Sequence, residues 1–178
     1  MTSLDNYRSL SPTPGGPVLE FVNDPEAVRD PGALRELLQR FGPAPLHDPT
    51  TEEREKLARL RETARRVLEI AASGRAPATG ELEELNEFLA APVRVQLSSA
   101  DGRVAVESTP LTGGWETVVR ELAGRLAGLL VRHDPTRVRR CANPECGRFF
   151  FDGSRNRSRR WHDEACGNLV RVRRFRTK

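Results

Sequence analysis

The sequence predicts an α+β protein in two parts: a mostly helical N-terminal domain with one β-hairpin, residues 1–136, and a small C-terminal module, residues 137–178. Three observations predict it. Apolar residues recur at helical spacing in four segments, interrupted once by two alternating runs. All three cysteines fall between positions 141 and 166. The charge divides near the same point: residues 137–178 carry 13 Lys or Arg against 4 Asp or Glu, a net of +9, whereas residues 1–136 carry a net of −5.

Residues 1–17, with Pro12, Pro14, Gly15, Gly16 and Pro17, read as an arm or loop. Val18-Leu19-Glu20-Phe21-Val22 is an apolar run that suits the core as either helix or strand. A helix over 31–41 follows, with Asp30 as cap, Pro31 at its first position, Gly42 as its stop, and Leu34, Leu37, Leu38 and Phe41 on one face. The next, over 51–73, opens on Thr50 and Glu53 at capping-box spacing. It turns Leu57, Leu60, Ala64, Val67, Leu68 and Ala71 to one side, and Gly74 ends it. Glu52–Lys56, Glu55–Arg59 and Glu62–Arg66 are spaced as i,i+4 ion pairs. A third helix, 79–90, turns Leu82, Leu85, Phe88 and Leu89 inward. Val93, Val95 and Leu97 then alternate, Ala100-Asp101-Gly102 turns, and Val104 and Val106 alternate again, which predicts a β-hairpin. The last helix of this part, 112–132, aligns Trp115, Val118, Val119, Leu122, Leu126, Leu129 and Leu130 before His133-Asp134-Pro135 breaks it.

No apolar run approaches the roughly 18–20 residues of a membrane span. The N-terminus lacks the basic and apolar regions of a secretory signal, so a soluble, cytoplasmic protein is expected. An odd number of cysteines argues against a disulfide framework. Nothing in residues 1–136 forms a catalytic constellation; His47 and His133 read as loop and helix-end residues. The chain is therefore expected not to be an enzyme.

The chemistry concentrates after residue 140. Cys141 and Cys146 form a Cys-x4-Cys pair around the turn residues Asn143-Pro144 and Gly147; fifteen residues on, His162 and Cys166 form a His-x3-Cys pair. Zinc takes four tetrahedral ligands, usually thiolate sulfur and imidazole nitrogen. A tight loop supplies two, and His162 and Cys166, four apart, share a face of one helical turn. Phe149-Phe150-Phe151 reads as a strand leaving the first loop, with Asp152-Gly153 as the turn back. Loop, hairpin, then a helix with two ligands in its first turn is the order of a treble-clef-like zinc finger. Two other readings exist: inert core cysteines, and a Cys-His nucleophile from Cys166 and His162, which leaves Cys141 and Cys146 unexplained. With four protein ligands no position stays open for a catalytic water, so the zinc is structural.

Arg155, Arg157, Arg159 and Arg160 crowd the loop before Trp161; Arg171, Arg173, Arg174, Arg176 and Lys178 follow Cys166 on a continuing helix. Leu169, Val172 and Phe175 recur every three residues there and are expected to face the finger. Guanidinium groups on a metal-braced helix suit phosphate contact, and about five such contacts give a slope of log K against log[salt] near −4 to −5. The competing use of the same charge is docking onto an acidic protein surface, such as the body of this chain or of a second subunit.

In these residues the sequence resembles the CGNR zinc-finger family. The shared elements are Cys141, Cys146, Phe150-Phe151-Asp152, Ser154-Arg155-Asn156, Arg159-Arg160-Trp161 and Cys166-Gly167-Asn168. The helical body is similar to the ABATE domain that precedes such fingers. Two positions depart from the family pattern: His162 stands where a Cys is usual, with a spacing to Cys166 one residue shorter, and Leu169 replaces the Arg after Asn168. The resemblance implies a stress-induced transcription regulator. Its zinc would sit on Cys141, Cys146, His162 and Cys166, and DNA would be contacted through Arg155, Arg157, Arg159, Arg160, Arg171, Arg173, Arg174 and Arg176. The body is expected, as a hypothesis, to bind a small-molecule effector or to form a homodimer. The alternative is a zinc-stabilised protein–protein interaction module; a nuclease-like enzyme comes third.

Overall fold

The computed structural model describes residues 14–39, 47–90, 92–100, 102–111 and 113–176. The apolar run left open by periodicity is helical: α1 spans Gly16–Asn23 and buries Val18, Leu19, Phe21 and Val22. Gly15 precedes it at φ 69, and a Cβ there would stand 2.8 Å from Leu129 Cδ2, so the chain enters the core where only a glycine fits. A single turn, α2 (Glu26–Arg29), leads into α3 (Pro31–Gln39). The Asp30 carboxylate caps α3, accepting from the Gly32 amide at 3.0 Å and the Ala33 amide at 3.3 Å. Leu34 and Leu37 are buried; Phe41 and the expected stop at Gly42 lie outside the described residues.

α4 (Thr51–Ala72) opens with the full capping box: the Glu53 amide donates to the Thr50 hydroxyl and the Thr50 amide to the Glu53 carboxylate. Of the expected intrahelical pairs Glu62–Arg66 forms, and the charged face also reaches the neighbouring helices. Lys56 reaches Glu116 at 3.5 Å and Arg59 reaches Glu87 at 3.0 Å, while Arg66 bonds Glu84 as well as lying 4.0 Å from Glu62. Neighbouring helices bring carboxylates closer than the next turn does. α5 (Thr79–Leu89) buries Leu85 and Phe88, whereas Leu82 remains 38% exposed. α6 (Gly114–Arg132) buries Trp115, Val118, Val119, Leu122, Leu126 and Leu129, with the Trp115 indole donating to the His47 carbonyl at 3.1 Å.

Between α5 and α6 stands the expected hairpin. β1 (Val93–Ala100) and β2 (Arg103–Pro110) are antiparallel, and the Ala100–Arg103 pair closes a two-residue loop with Gly102 at φ 71. Three of its apolar residues stand outside the core: Val95, Leu97 and Val104 are 60%, 73% and 74% exposed.

After a 3-10 turn at Pro135–Arg137 come β3 (Val138–Arg140), β4 (Phe149–Phe151) and α7 (Glu164–Arg176). β4 does not turn back through Asp152-Gly153, as its sequence suggests. It pairs with β3, so the Cys-x4-Cys segment is itself the hairpin loop. One hydrophobic cluster runs through both parts of the chain, because Val138, Phe149 and Phe151 are buried together with Phe21, Leu57, Leu68 and Leu126. Asn23 fastens the seam, donating to the Phe149 carbonyl at 2.7 Å and accepting from the Phe149 amide at 2.8 Å. The architecture is α+β, a mostly helical body with one hairpin, ending in a treble-clef-like finger. Among the described residues no helix is long and apolar enough to cross a membrane.

Candidate metal centre

The hairpin loop is shaped by its own backbone. The Cys141 amide donates to the Arg148 carbonyl at 2.8 Å and the Cys146 amide to the Asn143 carbonyl at 3.0 Å, with Gly147 at φ 64 completing the turn. This bends both cysteine side chains to one side. The second pair arrives from the start of α7. The Ala142 amide donates to the Arg160 carbonyl at 2.8 Å, drawing the segment before His162 over the loop. His162 lies two residues before the helix, so only Cys166 is in its first turn. The reason is Asp163, whose Oδ1 accepts from the Cys166 amide at 2.7 Å and thereby caps α7.

The ligand atoms of Cys141, Cys146, His162 and Cys166 all lie within 4.8 Å of one another. A tetrahedral ion with metal–sulfur bonds of about 2.3 Å holds its sulfurs about 3.8 Å apart, so the cluster needs only a small contraction. Cys146 Sγ is already 3.4 Å from His162 Nδ1. The other imidazole nitrogen, Nε2, lies 2.9 Å from Asp163 Oδ2. With a metal ion bound, a proton on Nε2 shared with that carboxylate would leave the Nδ1 lone pair for the ion. Asn143 Nδ2 lies 3.5 Å from Cys166 Sγ and donates to it. Three sulfurs and one imidazole, buried or half-buried, with each outer contact oriented, fit a divalent metal ion.

Without an ion, the thiols cannot share negative charge equally. Burial works against ionisation at Cys141, but hydrogen bonds from the His162 ring and the Asn143 backbone outweigh it and bring that thiol down to about 7. Burial, together with the neighbouring thiols, pushes Cys146 up to about 11. A metal resolves this crowding by displacing the protons.

Asp152 organises the loop that follows. Its carboxylate is fully buried and accepts from the Ser154 hydroxyl, the Ser154 amide at 2.9 Å and the Arg159 amide at 3.1 Å. Burial pushes this carboxyl up, but those bonds and the Arg139 guanidinium outweigh it and hold it below its ordinary value.

All eight arginines expected at a nucleic-acid surface are exposed, and none is buried against the body. They are not equally free. Arg157 pairs with Asp134 at 2.9 Å and Arg173 with Glu145 at 2.8 Å. Arg159 donates to the carbonyls of Trp161 and His162 and lies over the Phe150 ring, bracing the ligand segment from below. Arg160 and Arg171 both lie over the Trp161 ring, at 5.4 and 5.5 Å. Among the described residues no carboxylate pairs with Arg155, Arg160, Arg171, Arg174 or Arg176. The expectation that Leu169, Val172 and Phe175 face the finger does not hold: they are 50%, 49% and 87% exposed, and the inward side of α7 is made by Cys166 and Gly167.

Residues 137–178 match the family model of the CGNR zinc finger, and residues 15–145 match that of ABATE, described as "putative stress-induced transcription regulator". The chain belongs to the ABATE family. No curated protein matches it. The ABATE match runs into the Cys-x4-Cys loop and overlaps the CGNR match. The first three letters of the finger's name now have physical roles. Cys166 offers its sulfur to the cluster. A Cβ on Gly167 would stand 3.2 Å from Trp161 Cε3, so glycine lets the indole lie against the helix. Asn168 Oδ1 accepts from Arg171 at 3.1 Å. Asp163, Asn143 and Asp152 are the site residues that sequence spacing overlooks. An Asp directly before Glu164-Ala165-Cys166 is nonetheless a readable helix-start signal.

Proposed function

We propose that the chain is a DNA-binding transcription regulator whose CGNR finger is built on one structural zinc ion held by Cys141, Cys146, His162 and Cys166. The donor set of three thiolates and one imidazole suits zinc above the harder divalent ions. Four protein ligands leave no position for a reactive water, so the ion stiffens the finger and catalyses nothing. The observation that carries the reading is the arrangement of the arginines. Arg155, Arg160, Arg171, Arg174 and Arg176 stand exposed, without carboxylate partners among the described residues, on the ABATE-family chain's metal-braced end. Arg157, Arg159 and Arg173 hold that surface in shape and add to its field. The positive charge of these eight exposed arginines is thus presented outward.

The test is retention of a mixed-sequence DNA duplex by the zinc-loaded chain across a salt series. With about five phosphates contacted, log K should fall with log[salt] with a slope near −4 to −5. Retention that ignores salt, or none at low salt, refutes the reading. A second reading, a zinc-stabilised module that binds a protein, is favoured by one observation: the exposed Leu169, Val172 and Phe175 on α7. Replacing all three with Ser separates the two, since phosphate contact survives the change and an apolar interface does not.

A further inference from the structure

We propose that the cleft beside Trp161 is the anchoring site for one phosphodiester group of bound nucleic acid. The proposal rests on the DNA-binding reading and names the chemistry of its centre. The cleft, about 490 Å³, lies between the segment before His162 and the first turns of α7, lined by Ser158, Arg160, Trp161, Gly167, Asn168 and Arg171 among others. Its walls are fixed by the metal cluster, because Trp161 immediately precedes His162 and Gly167 immediately follows Cys166.

Three observations point to an oxyanion. The Trp161 indole N–H is buried and has no hydrogen-bond partner. Buried donors are nearly always satisfied, so an orphan one in a residue lining a cleft marks a missing acceptor. Arg160 and Arg171 hold their guanidinium groups over the Trp161 ring with no carboxylate partner among the described residues. Stacking leaves the N–H edges of such a group available for oxygen. The DNA-binding reading sets the class, since the phosphates of a duplex are diesters, and the lining charges have the sign it needs. Arg159, Arg160 and Arg171 face Asp163 and Glu164 around the cleft, an excess of one positive charge. A phosphodiester carries one negative charge and balances it.

The experiment uses the full zinc-loaded chain and follows the Trp161 indole N–H by ¹⁵N–¹H NMR, assigned through Trp161→Phe. A short mixed-sequence DNA duplex is titrated, and separately inorganic phosphate and thymidine 5′-monophosphate. The duplex should shift the Trp161 indole signal and leave that of Trp115 in place, while the two small anions move neither at equal concentration. Arg160→Ala and Arg171→Ala should each weaken duplex binding about tenfold and flatten the salt slope by about 0.9, with zinc content unchanged. If either variant loses zinc, the indole shift of the unmutated chain decides. A duplex that binds while the Trp161 signal stays still, or that binds both arginine variants as tightly as the wild type, overturns the cleft and leaves DNA binding standing. A shift produced equally by the small anions overturns the phosphodiester assignment. A duplex that fails to bind at low salt removes the underlying reading as well.

Discussion

Asp163 does two jobs with one carboxylate. Oδ1 caps α7 through the Cys166 amide and Oδ2 accepts from His162 Nε2. Asp163→Asn separates them: the amide oxygen keeps the cap, but an NH2 group then faces the imidazole N–H. The expected outcome is a metal affinity lower by about 10-fold or more with α7 retained, read by chelator competition alongside circular dichroism. Asp152 makes a pH prediction. Its native pKa lies below the ordinary value of 3.8, so the proton is bound more weakly in the folded state than in the unfolded one. The stability this contributes is fully present above pH 3.8 and is lost as pH falls through the native value. Asp152→Asn should therefore flatten the acid limb of a denaturation series; an unchanged limb would show that Asp152 is not its source. The clustering of Cys141, Cys146, His162 and Cys166 was legible at this scale because their chemistry is carried by residue type and spacing. The partners of Arg157, Arg159 and Arg173 were not, since Asp134, two backbone carbonyls and Glu145 meet them only once the chain has folded.

Whole elements were readable where their signals are local. The Thr50–Glu53 box, the Asp30 cap and the two-residue turn near Gly102 each involve residues a few positions apart, and each forms as expected. The strand partner of β4 was misjudged for the opposite reason: Val138 pairs with Phe151 across the Cys loop, and nothing in Phe149-Phe150-Phe151 says from which side its partner comes. Periodicity likewise groups Leu169, Val172 and Phe175 on one face of α7 but does not say what that face meets. Two substitutions test this difference between pattern and burial. Phe149→Ala, in the shared core and clamped by Asn23, should cost about 3–5 kcal/mol. Val172→Ser, half exposed on α7, should change stability by no more than about 0.5 kcal/mol. Urea denaturation of the zinc-loaded chain measures both, and a Val172→Ser loss comparable to that of Phe149→Ala would mean that α7 is covered.

For the molecule as a whole, a single core joins the helical body to the finger. Val138, Phe149 and Phe151 are buried with residues of α1, α4 and α6, so the finger is not a bead on a linker even though its composition and charge change sharply near residue 137. Metal removal should accordingly lower the melting temperature of the entire chain in one cooperative transition. Two separate transitions after chelation, with the first confined to the tail, would contradict the shared core. Charge division along the sequence reported where the function concentrates; it did not report that the acidic body and the basic end share apolar contacts.

Convergence of three sulfurs and one imidazole nitrogen on a common ion is the claim on which the finger's rigidity and its arginine surface depend. Cobalt substitution tests it most directly, because the visible spectrum of that ion reports both geometry and sulfur ligation. The account predicts one cobalt per chain, intense tetrahedral d–d bands, and near-ultraviolet thiolate charge-transfer bands that weaken by about a third in Cys146→Ser. Weak octahedral bands, or a spectrum indifferent to the loss of Cys146, would contradict it.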